Sequence, residues 1–135
     1  TNTVLKKLFK DSKSLDKMFI KNNIIEKNKI FKVLNRVSNK DTILYCAGSY
    51  SKIILKLIPF CNIKIKFVCD GNLGFQDQKI YQYNIRSKKY LTKNIKKFLD
   101  DNIMISNCDI KTSIIIKNDL IRNGFNKDKI FCLGC

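Results

Sequence analysis

The sequence predicts a three-layer α/β sandwich on a mostly parallel sheet of about five strands, preceded by a helical N-terminal arm. Three observations predict it. From residue 41 onward, short apolar runs alternate with amphipathic stretches of helical period. Those stretches are long enough to be crossover helices, which parallel strands need and hairpins do not. Residues 1–40 carry helical spacing and no strand pattern.

In the arm, Val4, Leu5, Leu8 and Phe9 recur at helical spacing, as do Ile30, Phe31, Val33, Leu34 and Val37. Asp11, Ser12 and Ser14 suggest a break between two helices, and "SNKD" is a polar turn before the first strand. The arm reads as a unit packed on the domain or a linker from a preceding one, with residues 41–135 as the domain itself.

The first strand is "TILYC" (42–46), followed by the turn "AGS". Residues 49–58 predict a helix with Ile53, Ile54, Leu57 and Ile58 on one face, Lys52 and Lys56 on the other, and Pro59 as its stop. "NIKIKFVCD" (62–70) is a second strand and "GNLG" a loop. "KIYQYNI" (79–85) reads as a third strand, residues 88–99 as a helix and "NIMIS" (102–106) as a fourth strand. Residues 109–124 form a helix opened by an Asp cap and closed by Gly124, and "KIFCL" (129–133) is a fifth strand. The right-handed crossover rule places helices on both faces.

The formal net charge is +16, from 27 Lys+Arg against 11 Asp+Glu. That balance suits anionic partners, but the basic residues are dispersed over polar faces, which favours a solvated surface. No aromatic-interleaved basic stripe stands out, so nucleic-acid affinity is expected to be non-specific at most. With no histidine, a His-dependent triad, a His general base and His metal ligands are excluded within this chain. No apolar run has the length of a membrane span and no signal-peptide h-region is visible, so a cytoplasmic location is expected. Starting at Thr1 without methionine, the chain reads as a piece of a longer protein.

The stretch "TILYCAGSYSKIILKLI" (42–58) has the plan of a dinucleotide-binding unit: strand, glycine turn, helix. In that fingerprint the first glycine permits a tight turn, the second lets the backbone approach a pyrophosphate, and the third lets helix and strand pack closely. Cys46, Gly48 and Ser51 occupy those slots, so one glycine survives, at the position governing phosphate access. Asp70 ends the second strand, where the fingerprint places an acid for a ribose hydroxyl. The fold is therefore Rossmann-like. Cys46 is expected to carry its side chain at an ordinary φ, and Ser51 to hold the helix slightly off the strand. The turn is either a working phosphate site or merely a turn.

"ILYCAGSYSKIILKLI", "KFVCDGN", "KIYQYNI", "NIMIS" and "GFNKDKIFCL" resemble the small nucleoside-diphosphate-sugar epimerase-like Rossmann domains that accompany bacterial surface-sugar and polysaccharide-modifying enzymes. The resemblance spans roughly residues 41–133 and departs from the family at Cys46 and at Cys69-Asp70-Gly71. It implies that Gly48, Ser49 and Tyr50 line the phosphate turn and that Asp70 faces the ribose. No catalytic pair is assignable: Tyr83, Lys88, Lys89 and Tyr90 lack the Tyr-x-x-x-Lys spacing, and Tyr90-x-x-Lys93 is one residue short of it.

The six cysteines are Cys46, Cys61, Cys69, Cys108, Cys132 and Cys135. Most sit in or beside strands, as small buried hydrophobes do. Cys46, Cys69, Cys108 and Cys135 fall near strand ends of one polarity, so they could converge at the ligand edge; Cys132-x-x-Cys135 alone is a weak metal signal. The expected function is binding of a nucleotide or nucleotide-sugar, with NAD(P) among the candidate cofactors, by an accessory part of a larger sugar-modifying enzyme. Its expected binding residues are Ala47, Gly48, Ser49, Tyr50, Ser51 and Asp70. Expected partners are a nucleotide-type small molecule and other domains of a longer chain. A non-enzymatic interaction module, or the cofactor half of an S-adenosylmethionine-dependent methyltransferase, are the alternatives.

Overall fold

The computed structural model describes residues 24–37 and 39–133. The predicted helix around Val4 to Phe9, the break at Asp11 to Ser14, and Cys135 lie outside them. Helix α1 is Ile24–Arg36 and strand β1 is Asp41–Tyr45. Helix α2 (Ser49–Leu57) runs into a 3-10 turn at Ile58–Phe60, then β2 is Lys64–Asp70. Two short strands follow, β3 (Lys79–Ile80) and β4 (Tyr83–Ser87). Helices α3 (Lys88–Lys93) and α4 (Ile95–Phe98) lead to β5 (Asn102–Ile105), α5 (Ile110–Arg122) and β6 (Ile130–Cys132).

The six strands form one sheet in the order β3-β4-β2-β1-β5-β6. Neighbours from β4 to β6 are all parallel, and β3 alone pairs antiparallel, on β4. The strands predicted near 42–46, 62–70, 102–106 and 129–133 are thus parallel neighbours. Central strands covered on both faces should read as nearly continuous apolar runs. In β1 the last four residues are buried, and all four of β5 are.

The sheet carries two cores. On one face α1 and α2 pack Ile30, Leu34, Val37, Ile54 and Leu57 against Leu44, Met104 and Ile85. On the other, Leu91, Phe98 and Leu120, from α3, α4 and α5, meet Ile43, Tyr45, Phe67 and Ile103. Lone helices of this length are marginal in water, so these apolar faces are what hold them.

Three predicted elements differ. The single third strand is a hairpin: Tyr81, at φ +55°, turns the chain, and Ile80 faces Tyr83 across the strands. Alternation across "KIYQYNI" does not reveal a reversal without the usual glycine or asparagine. The predicted helix over 88–99 breaks at Asn94 (φ −110°, ψ 32°), whose side-chain amide donates to the Tyr90 carbonyl. Asparagine competes with the helix for its own backbone groups. In β2 the register slips by one residue, so that Thr42 aligns with Ile65 but Leu44 with Val68. This bulge puts Ile65 and Val68, three apart, in the same core and frees Lys66 to meet Asp101 at 2.7 Å.

α2 crosses one face from β1 to β2; α3–α4 and α5 cross the other. The winding therefore reverses between β1 and β5, which opens a crevice at the carboxyl ends of those strands.

The end of α5 sets the approach of β6. Gly124 has φ +104°; its N–H donates to the Ile121 carbonyl, and the Phe125 N–H to Leu120. This is a Schellman closure, completed by Phe125 and Leu120 sharing one core. A Cβ at Gly124 would sit 3.0 Å from the Ile95 Cδ1. Gly124→Ala is therefore expected to lower stability by about 1–2 kcal/mol, read as a lower urea midpoint at unchanged slope.

Candidate functional site

β1 ends where the crevice opens, and the turn to α2 begins at Cys46. The Cys46 N–H donates to the Cys69 carbonyl at 2.7 Å, which extends the parallel ladder one step past Tyr45. The chain then swings away with Cys46 at φ +93°. This corrects the expectation of an ordinary φ: the first fingerprint position demands a backbone that glycine adopts freely and cysteine does not.

Ser51 shows how the turn is held. It is fully buried, one turn into α2, and its Oγ donates to the Cys46 carbonyl at 2.6 Å. Its Oγ also meets the Ser106 Oγ at the end of β5. The Ser106 N–H donates to the Tyr45 carbonyl at 3.0 Å, so the ends of β1, α2 and β5 are tied through two small hydroxyls. Ser51 does not hold the helix off the strand. It takes the place of a close-packing glycine by bonding where glycine would merely touch. It lies beneath the crevice and does not line it.

Gly48 is the N-cap of α2, at φ −82° and ψ −169°, and a Cβ there would meet nothing within 4 Å. No fold constraint therefore requires glycine at this position; what glycine keeps clear is open space above the turn. The Ala47 N–H is engaged by the Asp70 Oδ2 at 2.7 Å, and Ser51 N–H by the Gly48 carbonyl. Among the described residues, the Gly48 and Ser49 N–H groups meet no protein acceptor. Three helices start at this edge directly after a strand. α3 is capped by the Ser87 side chain and α5 by the Asp109 carboxylate; α2 has neither a side-chain cap nor an acid in its first turn. Its positive end is the open one, where an anion gains most.

Asp70 ends β2, half-buried, with Oδ1 accepting the Asn72 N–H at 2.7 Å as Oδ2 accepts Ala47. Each carboxylate oxygen keeps a further lone pair for a hydroxyl. Tyr50 lines the crevice, and its hydroxyl donates to the Leu133 carbonyl at 2.9 Å, just past β6.

The crevice is a cleft of about 440 Å³ lined by Gly48, Ser49, Tyr50 and Asp70, together with residues the sequence did not single out: Tyr45, Phe75, Ser106, Asn107 and Thr112. Ser106 and Asn107 follow β5, so the switch-point rule was the one signal pointing to them. A second cleft, of about 420 Å³, lies over the β3–β4 hairpin and shares Gly48, Ser49 and Phe75 with the first.

Two of the singled-out cysteines, Cys46 and Cys108, line the main cleft, while Cys69 is buried. Burial, then the charge of Asp70, pushes the Cys46 thiol up from 9.0 to about 11; its contact with Asn107 opposes this. Burial pushes Cys61 up to about 11 and Cys69 further. Protonated thiols are poor nucleophiles. Among the described residues, no group of three His, Cys, Asp or Glu is placed to hold a metal. The tyrosines and lysines of "YNIRSKKY" do not line the cleft: Tyr90 packs on Phe67 (ring centroids 5.5 Å apart) and Lys88 pairs with Asp119.

No protein-family model matches the chain, and neither does any curated protein. Solved structures do. UDP-D-quinovosamine 4-dehydrogenase from Vibrio fischeri superposes with a TM-score of 0.55 at 17% identity, over 70% of this chain and 78% of that one. RSP, a Rex-family repressor, gives 0.56 at 16% identity over 99% of this chain and 81% of that one. RSP in complex with β-NADH also gives 0.56 at 16%, covering 99% and 82%. The fold is Rossmann-like. At these identities the likeness extends to the fold and not to a family.

Two outcomes are expected at this site. Cys46→Gly should relieve the positive φ and raise stability by about 1 kcal/mol in a denaturant titration; a fall would mean that thiol packing outweighs the backbone. For alkali, the folded thiols hold their protons above the unfolded value of 9.0, to about 11 at Cys46 and Cys61. The native state then binds more protons than the unfolded state, so stability is full below pH 9.0 and falls as pH rises toward 11. Thermal melts across that window check the sign.

Proposed function

We propose that this chain binds a nucleotide or nucleotide-sugar, with the phosphates seated over the β1–α2 turn. The observation that carries the reading is the uncapped start of α2, with the Gly48 and Ser49 amides unengaged among the described residues and a Cβ-free space above Gly48. Gly48, Ser49 and Tyr50 border the phosphate. Ala47 and Ser51 shape the turn beneath it, and Asp70 accepts from a ribose hydroxyl. NAD(P) and nucleoside-diphosphate sugars fit this plan, since each joins a diphosphate to a ribose. Solved structures similar in fold include UDP-D-quinovosamine 4-dehydrogenase and RSP in complex with β-NADH. These support a nucleotide-binding Rossmann-like fold. Residues 41–135 would be the binding unit, and the buried Ile30, Leu34 and Val37 support an arm packed on it. We assign no reaction to the chain and read it as an accessory part of a sugar-modifying enzyme.

A second reading, an interaction module on a silent fold, draws on Ile110, Ile114 and Ile115 of α5, which are exposed. Among the described residues, no helix is long and apolar enough to cross a membrane.

Calorimetry with NAD, NADP, a uridine-diphosphate sugar and S-adenosylmethionine tests the proposal. Heat is expected with at least one of the first three. Gly48→Val should abolish it, because the branched side chain enters the phosphate space, while the melting temperature stays close to that of the parent. Cys46→Gly should change binding little. No heat with any ligand overturns the reading in favour of the interaction module, and heat with S-adenosylmethionine alone redirects it to methyl transfer.

A further inference from the structure

α5 carries more apolar surface than the sheet covers. Four of the eight large hydrophobic residues exposed among the described ones lie on it: Ile110, Ile114, Ile115 and Ile121. Ser113 and Leu120 form its buried side. Ile110, Ile114 and Ile121 are spaced by four and seven, so they follow one another along one side of the helix, with Ile115 beside Ile114. Single exposed apolar side chains are ordinary; a cluster of them marks a surface that something covers.

α1 starts close to that surface. β6 is the outermost strand on its side of the described sheet, and α1 and α5 cover its opposite faces. Phe131 packs in the core of Ile30 and Leu34, with the Arg36 guanidinium 5.1 Å from its ring centre. Cys132 packs in the other core with Leu120, its thiol 4.0 Å from the Ser113 carbonyl. Burial pushes that thiol up, and the charges of Lys117 on α5 and Lys29 on α1 both oppose it, so both helices reach one strand end. α1 ends at Arg36, just before β1 begins at Asp41, so its last turn lies at the amino edge of the sheet. Its 13 residues rise about 20 Å, and the 5 residues of β1 about 17 Å. α1 therefore begins at the carboxyl edge, where α5 begins after β5.

We infer that the exposed isoleucines of α5 are the docking face for the chain's own first residues, with Val4, Leu5, Leu8 and Phe9 laid against Ile110, Ile114 and Ile115. The four arm residues recur at helical spacing, so they make an apolar stripe that needs a partner as much as α5 does. Reach allows it. From α1 to α5 round the outer side of β6 is roughly 20 Å, two layer spacings of about 10 Å. Residues 10–23 lie between Phe9 and α1 and extend to about 46 Å. Beyond β6 no described strand bars the way. A second copy is the weaker occupant. Two α5 faces brought together would set Lys111 and Lys117 of each against the other, in a chain of net charge +16. The tethered segment instead meets its face at an effective concentration of the order of millimolar. The isoleucines are then accounted for within the chain, independently of the nucleotide reading.

Limited trypsin digestion of the full chain tests the contact, because Lys6, Lys7, Lys10 and Lys13 are cleavage sites in the arm. When docking and release are fast, cleavage follows the fraction released. Ile114→Ser and Leu8→Ser are each expected to speed cleavage at these lysines about tenfold. The double variant should be cleaved no faster than either single one, since both remove the same contact. Ile115→Ser provides a second variant on α5; its side chain is 65% exposed, and a melting curve confirms the fold. Leu8→Ser lies outside the packed domain and checks the contact from the other side. Unchanged cleavage in either Leu8→Ser or the α5 variants overturns the inference, and so does a double variant in which the two effects multiply. Sedimentation of the parent chain gives the remaining outcome: a dimer that Ile114→Ser dissociates assigns the face to a second copy and overturns the arm. None of these results alters the nucleotide reading.

Discussion

The Ser51 hydroxyl on the Cys46 carbonyl is the contact on which the binding edge depends. At Cys46 the chain leaves a central strand and within three residues becomes a helix pointing back over the sheet. That reversal needs a positive φ, which cysteine supplies at a cost of about 1–3 kcal/mol. The strained carbonyl would be hard to satisfy beneath the helix. Ser51 satisfies it at 2.6 Å, and Ser106 in turn meets Ser51, so both buried hydroxyls are partnered. A buried polar network is stabilising when every member is satisfied. The same bonds fix α2 relative to β1 and β5, and with it the direction in which its uncapped N–H groups point.

From this anchor the electrostatics of the edge follow. Asp109 and Ser87 close the starts of α5 and α3 from within their own sequence. α2 begins with Gly48-Ser49-Tyr50, and no acid stands in its first turn. Asp70 reaches the neighbouring Ala47 amide instead, which steadies the turn without neutralising the helix end. A net charge of +16 adds a long-range field favourable to anions. Of the two helices that flank the topological switch point, α2 and α5, the uncapped one is α2.

The three fingerprint slots are therefore not equivalent. Ser51 at the third is small and brings its own hydrogen bond to the join. Cys46 at the first carries backbone strain. Gly48 stands at the second, although the protein itself gives no steric reason for glycine there. Selection for a stable fold alone would favour the reverse: glycine where φ is positive, and a side chain at Gly48, where glycine adds chain entropy to the unfolded state.

The sequence by itself determined the strand and helix order, the parallel core of four strands, the Asp109 cap, the Gly124 closure and the placement of Asp70 at a strand end. Each is written in local periodicity or in one residue's backbone preference. The tertiary structure decided the rest. Whether "KIYQYNI" runs straight or folds on itself depends on Tyr81 accepting a conformation its type disfavours, and propensity argues against that. The bulge at Lys66 is invisible because alternation gives way there to the apolar run Phe67-Val68-Cys69, which reads equally well as a strand buried on both faces. The partners of Ser51 lie five residues away at Cys46 and fifty-five away at Ser106, and a buried hydroxyl reads as any other small polar residue until the strands are paired. Above all, the sequence marked one glycine turn. Packing the hairpin beside it produced a second cleft, with lysines drawn from two distant segments, because only the paired sheet brings β3 next to the start of α2.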